Sequence, residues 1–558
     1  MFKKRMKHAH RYQEIVRAFL RNGFGYLIKD LGLTEALSLS FKKDTATSDV
    51  SQRTLGERVR IVLQELGTTF IKLGQIASTR MDIFPENIIK ELEKLQDHVP
   101  PFPSSEVNRI LEEELGGSID TIFAEFHETP TASASIGQVH FARLHTGEHV
   151  AVKIQRPHIQ KVIETDLEIL EDIARLMDTQ LDWAKNYHIR DIVEEFSKSL
   201  RAELDYSIEG RNAEKIANQF KNDSTVHIPT IYWDYSTKKV LTMEYIEGIK
   251  INNLDLLLEN GYNRKSIAEK FTQCLLHQIL VEGFFHGDPH PGNVIIMPGE
   301  IIGLMDFGMV GHLSQEMKLQ FVSLIISLKR GNSDGIVNVL LKMGLFPEDV
   351  DLTLLKLDVE SIMNKYYDLP LSQLHLGNVI QELFSIASQY HIQVPAEFTM
   401  LGKSLMTLEG LVEFLDPDCN IMSIAEPFAA KLLKERYQPL KLIESAWDQL
   451  KEYTDILASL PKSIKDLTTT VQKGKLHFNI SAPELHILLK RLDKISNRLS
   501  FSIVLLAFSI IMVGLIIGSS IGRQNTILWD FPIIEVGAVV ATLMFLWLLI
   551  SIFRSGKF

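Results

Sequence analysis

His286-Gly287-Asp288-Pro289-His290-Pro291-Gly292-Asn293 is followed, thirteen residues after Asn293, by Asp306-Phe307-Gly308. Phosphoryl transfer from a nucleotide needs an aspartate beside the attacking hydroxyl or water. It also needs an asparagine and a second aspartate to hold the Mg²⁺ ions that bridge the phosphates. A histidine, an aspartate two residues on, an asparagine five further and then an Asp-Phe-Gly supply that set in the required order. Either tripeptide alone would be a weak signal, because short polar runs of this kind also mark ordinary turns. The ordered set is specific. It assigns Asp288 as the catalytic aspartate and Asn293 and Asp306 as the metal ligands.

Upstream, Val150-Ala151-Val152-Lys153 has the form of the strand lysine that grips the α- and β-phosphates in protein kinases. An isolated run of this kind more often marks an edge-strand lysine facing water. Its place ahead of the catalytic loop, in a β-rich stretch, favours the functional role. Such a lysine needs a helix carboxylate as partner. Glu203, Asp205 and Glu209 in AELDYSIEGRN are the candidates; Asp205 and Glu209, four apart, share a helical face, and Glu209 is assigned to Lys153. Met243-Glu244-Tyr245-Ile246 stands where a kinase strand turns into the hinge, so backbone groups of Glu244 and Ile246 are expected to meet the adenine.

Two kinase parts are missing. In place of a G-x-G-x-x-G loop, about twenty residues before Lys153, the chain reads Ala132-Ser133-Ala134-Ser135-Ile136-Gly137-Gln138-Val139. Glycines let backbone N–H groups approach phosphates closely; alanine and serine narrow the allowed dihedrals, while Ser133 and Ser135 offer hydroxyls. The loop is still expected to cover the nucleotide, with altered phosphate placement. No Ala-Pro-Glu follows Asp306, and helical sequence resumes at LSQEMKLQF, leaving little room for an activation loop or a peptide platform.

Around this centre the periodicity is mostly helical up to about residue 120. Thr54 to Glu57 forms a capping box that opens a helix expected to run through VRIVLQELGTTFIKLGQIAS, on which Lys72 and Gln75 share a face. VNRILEEELGG ends on a glycine pair suited to a C-cap. The period then shortens: Gly137 to Leu144 and His149 to Gln155, joined by His145-Thr-Gly147, read as a hairpin, and KVLTMEYI as a later strand. Helices dominate again beyond Asn253, apart from two short apolar runs about the turn at Pro298-Gly299. Residues 427–498 read as amphipathic helices.

Leu499 to Ile521 runs for 23 residues without a charge, and a second apolar stretch (533–553) follows a short turn-forming connection. Together they predict a transmembrane helical hairpin. Lys490, Arg491, Lys494 and Arg498 precede the pair and Arg554 and Lys557 follow it, so both flanks and the large N-terminal body are expected on the cytoplasmic side. The N-terminus has no signal-peptide pattern. With 59 basic against 70 acidic residues, the net charge of −11 gives no sign of a nucleic-acid-binding surface. The two cysteines, Cys274 and Cys419, have neither metal-site spacing nor a disulfide framework, in keeping with a reducing compartment.

Lys72-Leu-Gly-Gln75 (KxGQ), the alanine-rich loop, VAVK, Glu203-Leu-Asp205 (ExD), HxDxHPxN and DFG together resemble the UbiB/ABC1 family of atypical kinase-like proteins, over roughly residues 10 to 420. Ser133 departs from the alanine usual in that loop. The resemblance implies an α+β, protein-kinase-like two-lobed fold: a helical extension (1–120), an N-lobe (121–246), a helical C-lobe (247–426), an amphipathic linker (427–498) and the membrane hairpin. It further implies that Lys72 and Gln75 fold over the active site to meet Glu203 and Asp205 as a regulatory element. The activity expected is that of an Mg-ATP-dependent ATPase or phosphotransferase on the cytoplasmic face of a bacterial inner membrane, supporting isoprenoid quinone (ubiquinone-type) biosynthesis. The alternative is a true kinase acting on a lipid, small-molecule or protein acceptor. ATP and Mg²⁺ are the cofactors implied. Expected partners are the bilayer, prenylated quinone precursors and quinone-biosynthesis enzymes; a homodimer is compatible with the pattern.

Overall fold

The computed structural model describes residues 8–31, 53–95, 100–181, 189–344, 350–366 and 375–436, with positions 184 and 346 and scattered positions between 503 and 546. Two compact units divide the chain, Met1–Ile443 and Glu444–Phe558.

In the first unit, helices α1 (Ala9–Arg21), α2 (Leu55–Leu66), α3 (Thr68–Ala77), α4 (Glu86–Leu92) and α5 (Ser104–Leu115) precede the first sheet. The expected capping box is present at α2: the Thr54 hydroxyl accepts from the Glu57 N–H at 3.3 Å, and the Glu57 carboxylate accepts from the Thr54 N–H at 2.8 Å. The helix does not run on as expected. It breaks at Gly67, whose φ of +88° suits glycine and few other residues, and α3 restarts with Lys72 and Gln75 on it. The C-cap after α5 is Gly116, left-handed as expected.

A five-stranded antiparallel sheet follows, in the order β1 (Phe123–Phe126), β3 (Gly137–Leu144), β4 (His149–Gln155) and β6 (Val240–Glu244), with β2 (Ala132–Ser133) added on β3. Alternation on β4 decides which residue meets the site. Val150, Val152 and Ile154 are fully buried on one face, against Val107 and Leu111 of α5 and Phe123 of β1. Lys153 therefore stands on the opposite face, in register with Val139 and Leu241. Three helices, α6 (Ile159–Gln180), α7 (Ile189–Glu203) and α8 (Tyr206–Gln219), lie between β4 and β6 in sequence.

The rest of this unit is helical around two small sheets. One has the order β5 (Val226–His227), β10 (Ile301–Leu304), β9 (Val294–Met297) and β7 (Ile249–Lys250); the other pairs β8 (Phe284–His286) with β11 (Val310–His312). Its helices are α9 (Arg264–Leu276), α10 (Gln315–Lys329), α11 (Ser333–Met343), α12 (Leu352–Tyr366), α13 (Leu376–Gln389), α14 (Ala396–Leu415) and α15 (Ile421–Arg436). A π-helical turn, His277–Glu282, joins α9 to β8 and carries buried Gln278. The described residues thus form the mixed α/β, kinase-like body expected.

In the second unit, the described positions Ile503, Leu506, Ile510, Val513, Val539 and Leu543 are helical with exposed apolar side chains, and Phe508 stacks on Phe545 with centroids 4.4 Å apart. No helix among the described residues is long and apolar enough to cross a membrane. The expected spanning pair and the amphipathic linker lie for the most part outside the described residues.

Candidate active site

Lys153 Nζ lies 2.8 and 3.0 Å from the two carboxylate oxygens of Glu209, the partner assigned from the sequence. Both side chains are nearly withdrawn from solvent, at 16% and 8% exposure, so the pair depends on its own geometry rather than on water. Burial alone would lower the lysine's pKa, but Glu209 and Asp306 overrule it and carry it above the ordinary lysine range. Burial pushes the Glu209 carboxyl up, and Lys153 pulls against it. The Tyr206 ring covers the ammonium at 5.1 Å.

Asp205 and Glu209 do not share a helical face, contrary to expectation. Glu203 ends α7, Asp205 is the N-cap of α8, and only Glu209 lies inside the helix. Asp205 accepts from the Ser207 N–H at 3.1 Å and its other oxygen faces Lys238 at 3.7 Å, so its carboxylate is spent on capping. Of the regulatory set, Lys72 reaches Glu203 at 3.5 Å, while the Gln75 amide donates to the Leu95 carbonyl at 3.2 Å. Lys72, Gln75, Glu203 and Asp205 nonetheless all line one cavity with Lys153, Glu209, Asp288, Asn293 and Asp306.

The catalytic loop is held by its own histidine. His286 is fully buried; its Nε2–H donates to the Met305 carbonyl at 2.9 Å and its Nδ1 accepts from the Asp288 N–H at 3.2 Å. One ring thereby ties the loop to the residue before Asp306. Gln278 of the π-helical turn accepts from the His286 N–H at 2.9 Å, a contact no local motif announces. The Asn293 amide donates to the Asp288 carbonyl at 3.1 Å, which leaves its oxygen as the atom able to ligate a metal.

Asp306 sits at φ +58°, a conformation sparsely used by non-glycine residues and frequent at functional positions. Lys153 is the largest influence holding its carboxyl below the usual range. Phe307 is buried against His286, and Asn212, three residues after Glu209 on α8, donates to the Phe307 carbonyl at 3.0 Å. The same helix thus positions both Lys153 and the segment that carries Asp306. Asn212 was missed in the sequence, although its spacing from Glu209 was the available signal.

The Ala132–Val139 segment forms a tight hairpin rather than an open glycine loop. Ala132 pairs with Val139 and Ser133 with Gln138, and the Ala134 N–H donates to the Gly137 carbonyl at 2.8 Å. Ser133, Ala134 and Ile136 line the cavity. Gln138 turns away from it: its Oε1 accepts from the Phe102 N–H at 3.0 Å, which ties the turn-rich segment before α5 to the sheet. The Glu244 carboxylate accepts from the Thr230 N–H at 3.1 Å and faces His227 at 2.9 Å; neither Glu244 nor Ile246, whose backbone groups were expected to meet the adenine, lines the cavity.

Gly137 is a fixed point. A Cβ there would stand 2.3 Å from the Tyr206 hydroxyl and 2.6 Å from the Ile154 carbonyl oxygen. Gly137→Ala is therefore expected to cost about 1–3 kcal/mol of stability, read as a lowered denaturation midpoint. A wild-type midpoint would show that both Tyr206 and the Ile154 backbone can give way.

The cavity measures about 730 Å³, the scale of a small-ligand site. Lys72, Gln75 and Ser78 of the extension, with Leu92, Glu93 and Leu95, close one side of it. Asp306, Asn293 and Asp288 offer hard oxygen donors, the set Mg²⁺ takes. Among the described residues no three His, Cys, Asp or Glu form a ready-made metal cage; Mg²⁺ held by one or two carboxylates and substrate phosphates requires none. The Tyr206 hydroxyl, on the cavity wall, is buried without a hydrogen-bond partner, as befits a site built for a polar ligand; Ser135 is buried and, against expectation, does not line the cavity. Lys403 of α14, also missed in the sequence, stands 3.6 Å from Asp288.

Comparison with known proteins gives matches along the chain. The ABC1 atypical kinase-like domain matches residues 94–340, the UbiB helical domain 359–420, and the ABC1/UbiB kinase-like C-terminal domain 483–554. An uncharacterized protein of Synechocystis sp. is 36% identical over 439 residues, covering 78% of this chain and 75% of that one. The chloroplastic protein "Activity of BC1 complex kinase 7" of Arabidopsis thaliana is 36% identical over 460 residues, 81% of this chain and 65% of its own length. A probable protein kinase UbiB of Marinobacter nauticus is 33% identical over 423 residues, 75% of this chain and 77% of that one.

Proposed function

This chain belongs to the UbiB/ABC1 family of atypical kinase-like proteins, and from that premise we propose that it is an Mg-ATP-dependent ATPase supporting isoprenoid quinone biosynthesis at the cytoplasmic face of a membrane. The observation that carries the reading is the buried Lys153–Glu209 pair opening onto one cavity with Asp288, Asn293 and Asp306. Lys153 would hold the α- and β-phosphates, Asn293 and Asp306 the Mg²⁺, and Asp288 the attacking hydroxyl or water. When bound, Mg²⁺ would neutralise charge on the phosphates. The chain's own residues supply the rest: Glu209 keeps the lysine charged and aimed, His286 fixes the loop, and the extension limits access.

That closure bears on the acceptor. With Lys72, Gln75 and Ser78 lining the cavity, a folded protein substrate has little room to enter. Water or a small amphiphile fits better. The uncharged run Leu499–Ile521 and the apolar stretch after it would anchor the catalytic unit beside lipid, where polyprenylated precursors reside.

Purified full-length protein is expected to hydrolyse ATP only with Mg²⁺, and to do so faster in vesicles carrying a prenylated phenol. A deletion strain should show a depleted quinone pool, restored by the wild-type gene and not by Asp306→Asn. Hydrolysis indifferent to bilayers, with an unchanged quinone pool, would sink the biosynthetic role and leave the ATPase.

A further inference from the structure

Three lysines line the cavity: Lys72, Lys153 and Lys403. Lys72 faces Glu203, and Lys153 is gripped by both oxygens of Glu209. Lys403 is different, because the carboxylate it pairs with is Asp288 itself, with Nζ 3.6 Å from Oδ1; Glu93, on the same cavity wall, also feels its charge. The lysine is 14% exposed and the aspartate 34%, so the pair borders the open cavity rather than the core.

Its position is built rather than incidental. Ser404, the next residue on α14, lies with its hydroxyl 3.2 and 3.1 Å from the carbonyl oxygens of His286 and Gly287. Met400 packs so closely on the catalytic loop that a Cβ at Gly287 would stand 2.6 Å from its sulfur. Met400 and Ser404 are one turn apart and bolt the helix to the loop. Lys403 and Thr407, likewise one turn apart on the neighbouring face, are thereby held at the cavity wall. The docking places a cation beside the catalytic aspartate from a helix 115 residues downstream.

An ammonium 3.6 Å from the Asp288 carboxylate can exchange that partner for incoming negative charge of higher density. The phosphate nearest Asp288 in a phosphoryl-transfer site is the terminal one, where charge is concentrated and shifts during reaction. We infer that Lys403 is the cation that engages the terminal phosphate of a bound nucleoside triphosphate, complementing Lys153 at the inner phosphates. The assignment rests on the nucleotide reading above. It also gives α14 a chemical task inside the site, beyond packing beneath it.

Equilibrium binding of fluorescent N-methylanthraniloyl ATP and ADP to the full chain, with Mg²⁺, tests this directly. Lys403→Ala is expected to weaken ATP binding about tenfold, some 1.4 kcal/mol, while ADP binding changes by less than about twofold. Lys403→Arg keeps the charge and should recover part of the ATP preference. Lys403→Met retains the stem volume and, if the alanine variant fails to fold, should show the same ATP-selective loss. Equal weakening of ATP and ADP would make Lys403 a structural support, and unchanged affinity for both would remove it from the site. Wild-type protein that binds neither nucleotide would overturn the nucleotide reading and this assignment with it.

Discussion

Asp288→Asn is expected to lower Mg-ATP turnover by about 10²- to 10⁴-fold while leaving nucleotide affinity equal to or tighter than that of the wild type. Asparagine keeps the size of the side chain, and the loop's fixings do not use the carboxylate. His286 bonds the residue's backbone N–H and Asn293 its carbonyl oxygen. What is lost is the group proposed to accept the proton. What is also lost is a negative charge beside the phosphates, and removing it frees Lys403 to meet them. Affinity therefore moves opposite to rate. Steady-state hydrolysis and equilibrium ATP binding on the same preparation decide it. A variant that retains most of its turnover would exclude Asp288 as the base.

Lys153→Met should be the most destabilising single change in the site, by about 3–5 kcal/mol, because it leaves Glu209 buried without its partner. Asp306 loses the same cation, the largest influence holding its carboxyl low. The pH dependence follows from these directions. In the wild type, Asp306 has a depressed pKa, so its contribution is present above the unfolded carboxylate value of about 4 and is lost as pH falls through the folded value. In the variant, burial acts on Glu209 unopposed by Lys153, and a carboxyl with a raised folded pKa favours the folded state more at low pH. The variant's deficit should shrink between pH 7.5 and 5. Denaturant titrations at both values read it out, and a deficit constant with pH would show that Glu209 finds another cation. Lys153→Met combined with Glu209→Leu should recover much of the stability and none of the turnover, since an apolar pair can replace a buried ion pair.

The chemistry of the site was legible because it is written at short range. Asp288, Asn293 and Asp306 follow one another at spacings set by one loop and one hairpin, β9–β10. The alternation Val150, Val152, Ile154 against Lys153 is a period of two that names the face of β4 without any knowledge of the core beneath it. The capping box at Thr54 needed only its own four residues. Glu209 was found too, although for a partly mistaken reason: Asp205 caps the helix and does not share its face.

Other residues were decided by packing between distant segments. Gln138 reads as a phosphate-loop residue until Phe102, 36 positions earlier, is seen to occupy its amide. The Glu244 side chain is taken by His227 and Thr230, on a segment that carries no motif. Gly67 reads as a tolerable helix residue, yet it divides α2 from α3 and sets the direction in which Lys72 and Gln75 enter the cavity.

The groups offered for the chemistry, Lys153, Asp288, Asn293 and Asp306, could thus be named from the sequence alone, since residue type and local spacing specify them. What surrounds them is set by the docking of distant segments. Lys403 stands against Asp288, Asn212 against Phe307 and Lys72 against Glu203 because helices far apart in the chain dock on one cavity. The physical reason is that an ion pair or hydrogen bond requires a few ångströms of proximity and no fixed separation along the chain. Partner choice is therefore settled by packing, after the local pattern has already named the chemistry.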